Sequence, residues 1–318
     1  MPIFTPRATT FARLAAVPAL LLAVALPAAA QSDFPRQPIT MVVAFPPAGA
    51  NDKIARIIAP TLAQILGTTI VIDNRPGAGG TIGTGQVAKA KPDGYTITLA
   101  SMSPTAVGPH VYANLPYKAS DLASITTVVS SVTMVALNPK VPATNLAELV
   151  ALSKTRPVSL ASSGTGGSSH LGLERLKAMT GGNFLHVPYK GAAPGLNDAV
   201  GGQIDGIIMD YTALSAMVEQ GRLRGVVASS KVGNVEKTEH LKDTWYAVLA
   251  PAGVPKDIQN KLHAALVKTM ADEGVKAQVA KLGFSPMLQS NLDEAAKFIQ
   301  AENALYGSLV KAAGIVPE

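Results

Sequence analysis

The amino-acid sequence predicts an α/β fold built as two lobes, each a mainly parallel sheet covered by helices. Three observations lead there. Short apolar runs alternate with stretches of helical spacing along almost the whole chain, the signature of parallel sheets flanked by helices. The texture breaks after Pro116, where two strand-like runs follow each other almost without a gap, and the alternation then restarts. Three helical stretches close the chain after a polar segment, as if it returned to where it began.

Taken in order, Ile39–Phe45 reads as a buried strand bounded by prolines. Helical spacing follows over Asp52–Leu66, with Ile54, Ile57, Ile58, Leu62 and Ile65 on one face and Gly67 as the stop. Thr69–Asp73 is the second strand, the loop from Asn74 to Gly80 is turn-rich, and Thr81–Lys89 is a short helix. Pro92-Asp93-Gly94 turns the chain into a third strand, Tyr95–Ala100. This order makes right-handed crossovers and a parallel sheet.

Ile125–Ser130 and Val132–Leu137 are the paired runs at which the chain passes to the second lobe. There the spacing predicts helices over Leu146–Lys154, Ser168–Thr180, Ala193–Val200 and Tyr211–Gln220. Strands are expected at Val158–Ala161, Phe184–Val187, Asp205–Met209 and Leu223–Ala228. Lys231–Thr244 is a patternless return linker, Trp245–Leu249 a strand, and Lys256–Ala271, Gly274–Leu282 and Asn291–Ala312 are the closing helices. The expected organisation is a leader at 1–30, a first lobe from 31–130 and 240–318, and a second lobe from 131–239.

Composition narrows the function. Hydrophobic residues make up 47% of the chain and charged residues 15%, enough apolar material for a core and too few charges for a disordered chain. Cysteine is absent, which excludes disulfides, thiolate metal sites and a cysteine nucleophile. The net charge of +6 is scattered, with no basic stripe interleaved with aromatics, so no nucleic-acid partner is expected. Arg7 and Arg13 precede an apolar run, Leu14–Leu26, too short to span a bilayer, and Ala28-Ala29-Ala30 gives a small–x–small cleavage pattern. Export with cleavage after Ala30 is expected.

In open parallel sheets, ligands sit beyond the carboxyl ends of strands. Two strand-to-helix loops stand out. Phe45-Pro46-Pro47-Ala48-Gly49-Ala50-Asn51-Asp52 is stiffened by prolines and opens a helix whose free N–H groups favour an anion; alone, it reads almost equally as a capped turn. The segment 162–169 carries three glycines and five Ser or Thr hydroxyls without a cationic side chain. That suits a carboxylate held by backbone N–H groups, against the alternative of a flexible surface loop. A side chain on Gly166, within this loop, would obstruct close approach. Ser101 follows the third strand, and Asp210 reads either as a helix cap or as the partner of a ligand amine or hydroxyl.

Tests for enzyme chemistry fail. Gly83-Thr84-Gly85-Gln86-Val87-Ala88 matches a dinucleotide fingerprint only nominally, because it lies inside a helical stretch with no acidic residue at the ribose position. The five histidines have no metal-binding spacing, and no serine is seen beside a base. The pair His170 and Glu174, one helical turn apart, reads as structural. No metal, no cofactor and no catalysis are expected.

The same loops carry a family resemblance. The chain resembles the Bug family of periplasmic solute receptors, the substrate-binding components of tripartite tricarboxylate transporters. The matching stretches are Phe45 to Asp52 with Ala55-Arg56, Asp73 to Gly80, and Pro92-Asp93-Gly94-Tyr95. Further along come Gly164 to Leu171 with Glu174, His186 to Gly191, Gly201 to Asp205, and Leu249 to Pro255. The resemblance implies a two-lobe Venus-flytrap fold of the second periplasmic binding-protein type. It also implies a small organic carboxylate (a di- or tricarboxylate, an amino acid or an aromatic acid) gripped between the two loops by backbone N–H groups and bridging waters. Delivery to inner-membrane permease subunits follows, by a periplasmic protein expected to be a monomer; the alternative is the ligand-binding subunit of a sensing system. On this reading Phe45, Ala48, Gly49, Ser101, Thr165, Gly166, Ser168 and Asp210 face the ligand, with Phe45 as an apolar wall. Ala48 stands where the family usually has glycine, and Leu305 or Tyr306 stands where it usually has a tryptophan with a structural role.

Overall fold

The computed structural model describes residues 1–3, 33–189 and 191–317. The expected leader therefore lies outside the described residues apart from its first three.

From residue 33 the chain forms β1 (Ile39–Val43), α1 (Ala50–Leu66), β2 (Ile70–Asn74), α2 (Thr81–Ala88), β3 (Thr96–Ser101), α3 (Gly108–Val111) and β4 (Leu122–Ser131). It continues with β5 (Thr133–Leu137), α4 (Leu146–Thr155), β6 (Val158–Ser162), α5 (Ser168–Thr180), β7 (Phe184–Pro188) and α6 (Ala192–Gly201). Then come β8 (Gly206–Asp210), α7 (Tyr211–Glu219), β9 (Arg224–Ala228), β10 (Glu236–Lys237) and β11 (Thr244–Pro251). The last elements are α8 (Lys256–Ala271), α9 (Glu273–Lys281), β12 (Phe284–Pro286) and α10 (Leu292–Ala312).

The strands make two six-stranded sheets, ordered β12-β4-β11-β3-β1-β2 and β10-β9-β5-β8-β6-β7, and these are the two lobes. The βα alternation produces the parallel pairs β1–β2, β1–β3, β6–β7 and β6–β8. The sheets are mixed because the first strand after each crossover, β5 or β11, inserts antiparallel into the sheet it enters. Only Val132 separates β4 from β5, so this crossover is nearly a continuous strand.

Each sheet is covered on both faces. Ile54, Ile58 and Leu62 of α1 are fully buried with Leu262 and Leu266 of α8 against one face of the first sheet. Each such side chain contributes about 1.5–3 kcal/mol. Gly67 ends α1 at φ 68°, its N–H returning to Ala63 and Gln64 carbonyls. On the other face, Val111 of α3 and Tyr306 and Val310 of α10 pack around Trp245, and Leu171 of α5 joins them from the second lobe. Of the two residues expected to replace the usual tryptophan, Tyr306 is the buried one. Gly83 is explained by packing: a Cβ there would meet the Arg75 carbonyl at 2.6 Å and Ala44 Cα at 2.9 Å.

Two segments escape the periodic reading. Ser103–Val107 is a π-helical turn running into α3, its start held by Thr105 Oγ1 donating to the Ser101 carbonyl at 3.1 Å. Pro104, Gly108 and Pro109 break the pattern there. β12 is three residues long and ends in a proline, below what periodicity can detect.

Candidate functional site

The strand registers bring the carboxyl ends of both sheets to one level. Ser101 at the end of β3 pairs with Tyr246, and Ser131 at the end of β4 pairs with Thr244. In the second lobe, Asp210 at the end of β8 pairs with Thr133 at the start of β5, while β6 runs parallel to β8. The loops after β1, β3, β6 and β8 therefore gather where the chain crosses between lobes.

The first loop is braced from its own helix. Asp52, in the first turn of α1, accepts from the Ala48 N–H at 2.9 Å, Arg56 Nε at 2.9 Å and Asn74 Nδ2 at 3.0 Å. The Arg56 hydrogen bond, opposed by burial, holds its carboxyl down to about 2. Asn74 also donates to the Phe45 carbonyl at 3.1 Å, tying β2 to the loop. Ala48 takes φ 64°, a left-handed conformation that favours glycine, which accounts for the usual glycine at this place in the resemblance. Phe45 is half-buried, and its ring closes over Gly80, where a Cβ would come within 2.9 Å.

The second loop joins β6 to α5. Helix α5 starts at Ser168 with Gly167 extended as its cap and no acidic residue in its first turn. Within the loop, Gly166 N–H donates to His170 Nδ1 at 3.0 Å and Gly164 N–H to Ser162 Oγ at 3.2 Å. Ser163 N–H donates to Ser169 Oγ at 3.0 Å. The N–H groups of Thr165, Ser168 and Ser169, and the Thr165 and Ser168 hydroxyls, have no partner among the described residues. Thr165 is exposed and Ser168 half-buried. Gly166 takes φ 71° and lies against Val111 of the first lobe, where a Cβ would stand 3.1 Å from Cγ2. Two histidines stack beneath, His170 and His186, with centroids 3.8 Å apart and planes within 8°. His186 Nε2 shares a hydrogen bond with Ser162 Oγ at 2.6 Å. Burial brings His186 down to about 4.

This is a serine beside a base, which the sequence did not reveal because strands β6 and β7 bring the two together from 24 residues apart. Ser162 is fully buried and its oxygen already accepts the Gly164 amide, so it serves as a loop support.

The side chain of Asp210 is engaged elsewhere than at its own helix. It occupies the cap position of α7 but makes no side-chain cap bond. Its carboxylate crosses between lobes, accepting from Thr244 Oγ1 at 2.7 Å and Tyr246 OH at 3.2 Å, so both oxygens already have donors from β11. Burial pushes it up to about 6, with Asp243 adding to the effect. Ser101 is buried beside this contact, paired with Tyr246. Phe45, Ala48 and Gly49 thus lie in one loop and Thr165, Gly166 and Ser168 in the other, with Ser101 and Asp210 at the crossover. His170, His186 and Asp52 are the structural partners that sequence reasoning did not assign to the site. A cavity of about 560 Å³ at the return crossover touches none of the eight expected residues. Its Arg175, Lys237 and Lys242 are balanced by Glu239, Asp243 and Glu302, which leaves no excess charge to draw an anion.

Comparison with known proteins agrees with this architecture. The family model described as "Tripartite tricarboxylate transporter family receptor" matches residues 54–315. Protein BugT of Bordetella pertussis is 32% identical over 320 residues, covering 95% of this chain and 98% of its own length. A solved structure described as a periplasmic transporter is 34% identical, covers 89% of this chain and 99% of that one, and superposes with a TM-score of 0.78. A protein of R. palustris solved with adipate is 27% identical, covers 90% of this chain and all of its own, and gives a TM-score of 0.79.

Proposed function

The chain belongs to the tripartite tricarboxylate transporter receptor family, and from that premise we propose that it captures a small organic carboxylate between its lobes and delivers it to an inner-membrane permease. The observation that carries the proposal is the β6–α5 loop. Its unpartnered N–H groups and hydroxyls sit at a helix start with no acid in the first turn. Such a site attracts an anion through backbone dipoles without needing a cationic side chain. The relative solved with adipate supports a ligand of this class.

Under this reading the protein is exported, loses residues 1–30, and works as a monomer without chemical turnover. The lobes comprise 31–130 with 240–318, and 131–239, and they close as rigid bodies about the two crossovers. Phe45, Ala48 and Gly49 press on the ligand from one side, and Thr165 and Ser168 hold it from the other.

A thermal-shift screen of organic acids, followed by calorimetry on the hits, tests the proposal. An acid at ~100 times its Kd should stabilise the protein by ~2.7 kcal/mol. Failure of adipate, malate, citrate, acidic amino acids and aromatic acids alike to raise the melting temperature or release heat would refute it.

A further inference from the structure

We propose that His170 and His186 are positioning residues for ligand binding: stacked under the β6–α5 loop, they hold the Gly166 and Gly164 amides and leave Thr165, Ser168 and Ser169 as its anion donors. The inference rests on the reading of that loop as the carboxylate site.

The geometry gives each histidine a separate arm. His170, in the first turn of α5 and 6% exposed, accepts the Gly166 N–H at Nδ1. An accepting Nδ1 carries a lone pair, so the ring is neutral with its proton on Nε2, the atom 3.7 Å from Glu174 Oε1. Glu174 is in turn held by Lys177 Nζ at 2.6 Å. His186, on β7, bonds the Ser162 hydroxyl, which receives the Gly164 N–H. Rings stacked 3.8 Å apart move together, so the two arms set one loop conformation. Without the His170 bond, the Gly166 amide would be a buried donor with no partner, and the loop would rearrange to satisfy it. His170, accepting at Nδ1, adds no charge to the site, and both rings act on the anion only through backbone direction.

Paired substitutions separate positioning from mere packing. In His170→Asn the Oδ1 atom can take the place of Nδ1 and accept the Gly166 amide, whereas His170→Ala has no acceptor. For His186, Gln can reach the Ser162 hydroxyl with its terminal amide and Leu cannot. Adipate, malate and citrate serve as calorimetric probes, with melting curves as a folding control. We expect His170→Ala and His186→Leu to weaken binding about tenfold or more, and His170→Asn and His186→Gln to restore most of it. Amide NMR of the ligand-free proteins reads the same contact directly: the Gly166 resonance should shift and exchange faster in His170→Ala and stay near its wild-type place in His170→Asn. Equal affinities in all four variants, or a Gly166 amide indifferent to both His170 substitutions, would overturn the proposal. If wild type binds none of the three acids and no other organic acid, the functional reading fails, and the Gly166 resonance alone decides whether the histidines position the loop.

Discussion

Replacing Asp210 by Asn should change how stability depends on pH. The Asp210 carboxylate is taken up by Thr244 and Tyr246 at the interlobe crossover, and burial raises it to about 6 against an ordinary 3.8. Between these values the folded protein keeps a proton that the unfolded chain has released. Stability from this group is therefore full below about pH 4 and lost as pH rises through about 6. At ~1.36 kcal/mol per unit the loss reaches at most about 3 kcal/mol, and the partial solvent exposure of the residue brings it nearer 1–2. Asn cannot titrate but can still accept from one hydroxyl and donate to the other. Near pH 4, Asp210→Asn should match wild type within about 1 kcal/mol, and by pH 7 it should gain on wild type by about 1–2 kcal/mol. Urea unfolding of both proteins at half-unit steps from pH 4 to 8 measures the difference directly, because every other titrating group is common to both. Parallel stability curves across that range would refute the assignment of a raised carboxyl to this contact.

Other outcomes follow from the loops. Gly166→Ala forces a Cβ into φ 71° and against Val111, so it should cost about 1–2 kcal/mol of stability and weaken adipate binding; unfolding and calorimetry with no change in either would refute it. Ala48→Gly relieves φ 64° while loosening the unfolded chain, and the two effects should leave stability unchanged or raised by up to about 1 kcal/mol; a clear loss in urea unfolding would mean the methyl is needed. Asp52→Asn faces an amide toward one of three donors and should cost about 1–3 kcal/mol at pH 7. That penalty should shrink as acid takes wild type down through about 2, where its own carboxylate protonates.

The periodic parts of the fold were legible because burial imposes them. Ser168–Thr180 and Lys256–Ala271 coincide with their expected ranges, since each has an apolar face and a defined stop or start. The glycine loops were legible because few other residues tolerate Gly166's φ or the close approach at Gly80. What could not be read was pairing across distance. The Ser162–His186 bond depends on strand neighbours, and the Asp210–Thr244–Tyr246 contact depends on how β11 re-enters the first sheet. Hydroxyls and carboxylates carry no periodic signal that says which of several possible partners they meet.

The two helix starts at the candidate site differ in how their positive ends are satisfied. At α1, Asp52 already sits on the helix's positive end and accepts a loop amide, so that end is neutralised by the protein itself. At α5 the corresponding acid is missing, and the charged side chain that follows, Glu174, is paired with Lys177 a full turn further along. Under the proposed function, a carboxylate therefore gains more from the second-lobe loop than from the first. Under the same proposal the first-lobe loop, stiffened by Pro46, Pro47 and the Asp52 brace, would act chiefly by shape as the lobes close. On that reading a left-handed alanine is tolerable at Ala48, where the backbone supplies a surface, while a methyl at Gly166 would stand 3.1 Å from Val111 Cγ2 and need that side chain to give way.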